Sequence, residues 1–189
     1  MKKVMQFGGR PWSLGRRRVL KMGALWATAW FAPHALAGPR KERSLGFLNL
    51  HTKEVLETVY WSGGEYRATA IEAINHILRD HRADVACSMD LGLLDLLYAL
   101  KRKLGAEDPF QVISGYRTPE TNAWLRKKRG GVAKHSLHVL GKAVDLMLPS
   151  HSLRQLHRAA QSLQAGGVGY YPGSGFVHLD VGRVRHWRG

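Results

Sequence analysis

Between Tyr66 and Arg82 the apolar positions Ile71, Ile74, Ile77 and Leu78 recur every three or four residues, and from Asp90 to Leu104 the stripe Leu91, Leu94, Leu97 and Tyr98 does the same before Gly105. That spacing predicts two helices that each bury one face, the second stopped by its glycine. Ahead of them, GFLNL and EVLETVYW are joined by the polar HTKE and predict a β-hairpin ending at Gly63-Gly64. Further on, FQVIS (110–114) reads as a strand, and Thr118-Pro119 as the cap and first turn of a short helix reaching Arg126. A basic, glycine-punctuated loop (126–135) is followed by a strand at 142–148, a helix at 152–163, and the strands VGYY and FVHLDVG separated by the turn PGSG. Helices early and strands late predict an α+β fold, a small antiparallel sheet with helices packed on one side.

The first 37 residues follow a different pattern. GRRRVLK precedes the apolar run MGALWATAWFA, then Pro33, His34 and the small-x-small triplet Ala35-Leu36-Ala37. Charge, apolar run and small residues in this order predict a secretory signal cleaved after Ala37, and the run is too short to span a bilayer comfortably. Arg16-Arg17 followed by Val19-Leu20-Lys21 resembles the twin-arginine export signal, with Gly15 where Ser or Thr is commoner. The resemblance implies a periplasmic protein exported folded; a retained amphipathic anchor is the alternative. Residues 38–44 (GPRKERS) read as a short linker, leaving 45–189 as the functional domain.

Composition changes this picture in two ways. The 189 residues carry 29 Lys+Arg against 14 Asp+Glu, a formal charge of +15. The first 37 residues hold seven basic and no acidic side chains, so only +8 remains on the other 152. That weakens a nucleic-acid reading and suits attraction to a polyanionic polymer such as the cell wall. The single cysteine, Cys87, excludes an internal disulfide framework and a cysteine-rich zinc finger, so any metal must rest on His and carboxylates.

Such residues cluster late in the chain. Strand alternation puts Ala143, Asp145 and Met147 on one face and Val144, Leu146 and Leu148 on the other. Asp145 therefore points away from the apolar face, and Gly141 lets the loop carrying His138 double back towards it. In the next strand, Val177, Leu179 and Val181 share one face, leaving His178 and Asp180 on the other. Two histidines and an aspartate on two late strands can form an open zinc site with a fourth position for water, although a strand histidine is more often structural.

Ser136-x-His138-x-x-Gly141-x-Ala143-x-Asp145 followed by His178 resembles the signature of the LAS metallopeptidases, whose fold is shared with D-Ala-D-Ala dipeptidases and hedgehog domains. The resemblance extends through NHILRDHRA, VISGYRT, GGVAKHSLH, AGGVGYYPGSGFVHLD and RHW to the murein endopeptidase K family within them. It implies a periplasmic zinc enzyme that cuts peptide cross-links in peptidoglycan, notably between two meso-diaminopimelate residues. It also implies His138, Asp145 and His178 as zinc ligands and Arg117 as a partner of the substrate carbonyl or carboxylate. In many LAS enzymes the general base is a Glu three residues, or a His two residues, before the last ligand, where this chain has Gly175 and Phe176. The base must therefore be sought among Asp180, His135 and His186. Asp180 shares a face with His178 and suits either a base or the orientation of a ligand histidine.

Other residues carry plainer expectations. His76 and His81 read as surface or packing residues, Arg126 to Arg129 as a solvated loop able to attract anionic substrate, and Trp61, Trp124, Tyr170 and Tyr171 as core or groove lining. Two competing functions are a catalytically inactive wall-binding domain of the same fold and a hydrolase dependent on Cys87.

Overall fold

The computed structural model describes residues 42–129 and 131–189. The expected signal at 1–37 and the linker up to residue 41 lie outside the described residues. Linker positions 42–44 lie inside the first strand, β1 (Glu42–Asn49), where Glu42, Arg43 and Ser44 oppose Ser62, Trp61 and Val59 of β2 (Val55–Ser62).

After β1 and β2 come β3 (Glu65–Tyr66), α1 (Ala68–Ile77), α2 (Leu91–Leu104), β4 (Phe110–Ser114) and α3 (Pro119–Arg129). A single 3-10 turn (Leu137–Leu140) leads to β5 (Ala143–Met147), α4 (Leu153–Ser162), β6 (Gly167–Tyr171), β7 (Phe176–Asp180) and β8 (Arg185–Arg188). The fold is α+β, as expected. The sheet is larger than the hairpin and late strands suggested, with eight strands among the described residues in the order β3-β2-β1-β4-β5-β7-β6-β8. Most neighbours are antiparallel, but β1 with β4 and β6 with β8 run parallel.

One face of the sheet carries the core. Phe47, Tyr60, Phe110, Val144, Leu146, Val177 and Leu179 are fully buried there with Leu93, Leu94, Leu97 and Leu100 of α2, Ile74 of α1 and Leu156 of α4. The leucine stripe is held as a helix at both ends. Asp90 accepts the Gly92 N–H at its start, and Gly105 closes it in the left-handed conformation. Ser152 and Gln155 form a reciprocal cap on α4. Among the described residues no helix is long and apolar enough to cross a membrane.

Helix α1 stops at Ile77, five residues short of the expected end. The Asn49 side chain donates to the Ile77 carbonyl at 2.9 Å, and the chain then bends, with Asp80 and Val85 bridging each other. Asp80 supplies the reason for the bend. It is buried, and its carboxylate accepts the Arg82 N–H at 3.0 Å and the Thr118 N–H at 2.9 Å, which a helical Asp80 could not reach. At the other boundary, α3 runs on through the basic positions 126–129 expected to form a loop. Lys128 packs over the ring of Trp124, which is 45% exposed rather than core.

Candidate metal centre

The face opposite the core carries the polar residues. In the β5–β7 register Asp145 opposes His178 and Ala143 opposes Asp180, while Val144 opposes Leu179 on the apolar side. Strand alternation thus places Asp145, His178 and Asp180 together, as the sequence pattern requires. His138 arrives from the 3-10 turn, whose capping residue Gly141 has φ +66°. A Cβ there would also meet the Ser88 carbonyl oxygen at 2.5 Å, so glycine is required on both counts.

Three atoms converge. Asp145 Oδ1 lies 3.2 Å from His138 Nε2 and 2.8 Å from His178 Nδ1, and the two nitrogens are 3.2 Å apart. Their far ring atoms fix what these nitrogens present. His138 Nδ1 donates to the Gly115 carbonyl at 2.6 Å, and His178 Nε2 donates to Asp180 Oδ2 at 3.0 Å. Both acceptors lack a proton to give, so each neutral imidazole turns a lone pair towards the Asp145 carboxylate. Three lone-pair atoms facing one another repel unless a cation lies between them. Their spacing approaches the ~3.3 Å edge of a tetrahedron with 2.0–2.1 Å bonds, so these residues fit zinc.

Electrostatics favour the ligating forms of His138 and Asp145 and oppose that of His178. Burial holds His138 below its usual range and favours the neutral, ligating form. Burial alone would raise the Asp145 carboxyl, but His138 and His178 beside it hold it well below the usual carboxylate range. Burial opposes charge on His178 as well, yet its bonds to Asp145 and Asp180 raise its pKa.

Arg117 reaches the cluster from the loop after β4. It donates through Nη2 to Asp145 Oδ2 and through Nε to Ser114 Oγ at 2.8 Å, fixing Asp145 so that Oδ1 is the oxygen presented to the histidines. Ser114 has no sequence signal. Val112 opposes Leu146 on the core face, but a bulge shifts the register so that Ser114 opposes Asp145.

The remaining candidates separate. Asp180 stands behind His178, with no exposed surface and five donors on its two oxygens. The Gly167 and Gly182 N–H groups and Arg185 Nη1 bond Oδ1, while Arg185 Nη2 (2.6 Å) and His178 Nε2 bond Oδ2. Burial would raise this carboxyl, but those donors hold it well below the usual range. Of its two expected roles, the geometry favours orienting His178, because a water would have to displace an existing bond to reach either oxygen. His135 is exposed and lines the cleft. His186 is a correction: it opposes buried Val168 and lies near His157, on the helix side of the sheet, while its neighbours Arg185 and Trp187 take the cluster side.

Around the cluster is a cleft of about 770 Å³. Tyr171, Phe176 and Trp187 wall one end, with Trp187 Nε1 donating to the Tyr171 hydroxyl at 2.7 Å and its ring 5.2 Å from that of His178. Arg185 and Trp187 were not foreseen, although RHWR does alternate with period two. Cys87 is absent from this lining, and burial pushes its thiol up, away from the reactive thiolate. His76 sits exposed 3.7 Å from Glu54, and His81 stacks on His51.

Residues 38–187 match the family described as peptidoglycan L,D-endopeptidase MepK. The peptidoglycan L,D-endopeptidase MepK of Escherichia coli K12 is 43% identical over 176 residues, covering 91% of this chain and 96% of the relative; the protein of that name from Shigella flexneri gives the same figures. The probable peptidoglycan L,D-endopeptidase MepK of Haemophilus influenzae is 34% identical over 178 residues, 92% of this chain and 96% of the relative. No solved structure matches the chain.

Proposed function

The chain belongs to the peptidoglycan L,D-endopeptidase MepK family, and from that membership we propose that it is a zinc-dependent endopeptidase cutting peptide cross-links of peptidoglycan between two meso-diaminopimelate residues. The observation that carries the zinc reading is the convergence of three lone-pair atoms within 2.8–3.2 Å of one another. His138 through Nε2, His178 through Nδ1 and Asp145 through Oδ1 would hold the ion. When bound, zinc supplies Lewis acidity, acidifying a coordinated water and polarising the scissile carbonyl.

The chain's own residues do the rest. Asp180 keeps the His178 proton on Nε2, and Gly115 keeps that of His138 on Nδ1, so both ligand atoms remain unprotonated. Arg117 has five donors, of which Ser114 and Asp145 take two, and its guanidinium can meet the oxygen on which negative charge develops. His135 is the candidate base that lines the cleft without being bound into the cluster, and we assign it the proton-accepting role. Tyr171, Phe176 and Trp187 offer flat apolar surface to one arm of the peptide.

The test is digestion of purified diaminopimelate-cross-linked muropeptide dimers, with product analysis. Cleavage to monomers that a chelator abolishes and zinc restores is expected. Chelator-resistant cleavage would overturn the zinc reading, and no cleavage by the metal-loaded protein would favour the inactive wall-binding domain.

We further propose that residues 1–37 direct twin-arginine export to the periplasm. Replacing both Arg16 and Arg17 with Lys is expected to leave folded precursor in the cytoplasm, because a planar fork and a point charge are not equivalent. Fractionation showing undiminished periplasmic protein would refute it.

A further inference from the structure

The aromatic wall at the β6–β8 end of the cleft holds a hydroxyl in a fixed place. Trp187 Nε1 donates to the Tyr171 hydroxyl oxygen at 2.7 Å. An indole N–H donates and never accepts, so the phenol oxygen is the acceptor and its own proton is directed elsewhere. Among the described residues no group accepts that proton, and Tyr171 and Trp187 both line the cleft. The hydroxyl is therefore a donor available to a molecule in the cleft, and the bond it accepts from Trp187 polarises it into a stronger one.

Strand register builds this arrangement. Gly169 of β6 stands between His178 of β7 and Trp187 of β8. A Cβ on Gly169 would come within 2.6 Å of Trp187 Cε2, so the indole occupies the space a side chain there would fill, with its ring centre 5.2 Å from that of His178. Two residues on, and so on the same face, Tyr171 opposes Phe176, and their rings stack 4.5 Å apart. Gly189 passes so close to the Tyr171 ring that a Cβ would collide with it. A ring stack, a close backbone and a hydrogen bond together immobilise the phenol.

The substrate proposed above supplies a matching group. Arg117 and Ser114 stand on the β4 side of the cluster and Tyr171 on the β6 side, so a peptide lying across the strands has one arm over the aromatic wall. On the amine side of the cross-link, diaminopimelate runs through a short methylene chain to a second amino-acid centre that is built into a peptide. Methylenes suit Phe176 and Trp187, and a peptide carbonyl beyond them suits a neutral donor. On the acyl side the chain ends instead in an ionised amine and carboxylate, and the cation at this wall, Arg185, already has its charge matched by Asp180. We propose that the Tyr171 hydroxyl, aimed by Trp187, donates to a peptide carbonyl at the second centre of the amine-side diaminopimelate. Tyr171 is thus a specificity-determining residue that favours a bond between two peptides over the same linkage to a terminal amino acid, and the assignment rests on the endopeptidase reading.

The test compares the diaminopimelate-cross-linked dimer with a probe whose amine side is norleucine of the same configuration. The probe keeps the leaving amine, the carboxylate beside it and the methylene chain, but ends in a methyl group. Tyr171→Phe is expected to raise KM for the dimer about fivefold to fiftyfold with kcat nearly unchanged, as for a carbonyl left without its donor. The affinity of the probe, read as its inhibition constant against the dimer, is expected to stay within about twofold of wild type, since the probe has no such carbonyl. In a Trp187→Phe background the same change is expected to cost less, because the hydroxyl is no longer aimed. An unaltered KM, or equal weakening of dimer and probe, would overturn the subsite alone, and an undiminished cost in the Trp187→Phe background would overturn the part given to Trp187. A fall in zinc content or melting temperature of Tyr171→Phe that accounts for its loss would overturn the subsite in favour of a structural role. Failure of the zinc-loaded wild type to cleave the dimer would instead overturn the endopeptidase reading beneath it.

Discussion

Replacing His178 with alanine is expected to remove zinc and turnover together. Zinc held by four ligands is bound with about 10–16 kcal/mol, so the loss of one is worth roughly 3 kcal/mol, or a hundredfold to a thousandfold in affinity. The loss here is larger than a simple share. His178 also stands between two carboxylates, with Nδ1 2.8 Å from Asp145 Oδ1 and Nε2 donating to Asp180, and alanine leaves Asp145 with His138 and Arg117 alone. Wild type is expected to carry about one zinc per chain and to melt at a higher temperature when zinc is added, because a ligand that binds only the folded state stabilises it by mass action. The variant is expected to lose that response and to turn over about a thousandfold more slowly or worse. The double variant His138→Ala, His178→Ala sharpens the test: full metal occupancy in it, measured by elemental analysis, would refute the assigned ligands.

The second large effect is expected from Asp180→Asn. The asparagine keeps the shape but must place an NH2 where Asp180 now accepts from Arg185 and His178. Facing that NH2, His178 is driven to the other tautomer, with its proton on Nδ1, the atom that should ligate. Zinc affinity is therefore expected to fall about tenfold to a hundredfold, while turnover at saturating zinc stays within about tenfold of wild type. Retained zinc affinity with turnover reduced a hundredfold or more would instead make Asp180 the base. Stability changes with a definite sign. The folded-state pKa of Asp180 is depressed, so its contribution is complete above the ordinary carboxylate range near pH 4 and is lost as acidification proceeds below it. The asparagine variant is expected to be less stable at neutral pH and to lose less stability between about pH 4 and pH 2, as chemical denaturation would show.

Local patterns in the sequence carry much of this structure. The leucine stripe of α2, with Asp90 and Gly105 at its ends, is a helix because its spacing and caps agree. Asp145 and His178 share a face because alternation leaves them no other choice. What was not legible depends on partners distant in the chain. Helix α1 ends where Asn49, 28 residues earlier, caps Ile77. Ser114 faces the cluster only because β4 bulges against β5, and a bulge leaves no mark in FQVIS. Asp180 and His178 leave the same face as predicted, but the role of Asp180 turns on Arg185 and two glycine N–H groups that arrive from β8 and the loops around it. His186 was misplaced for a related reason. RHWR is short and charged, and without the knowledge that it pairs with β6 nothing fixes which face each side chain takes.

Strand β8 sets an order of events in time. It is the last of these elements in chain order, and it joins the edge of the sheet by pairing parallel to β6, bringing Arg185 onto Asp180 and Trp187 alongside His178. A nascent chain that has emerged only as far as β7 already contains His138, Asp145 and His178 but lacks the cation that neutralises Asp180. Residues made first thus wait for those made last, and during vectorial synthesis a fully oriented His138–Asp145–His178 cluster marks the completion of the sheet.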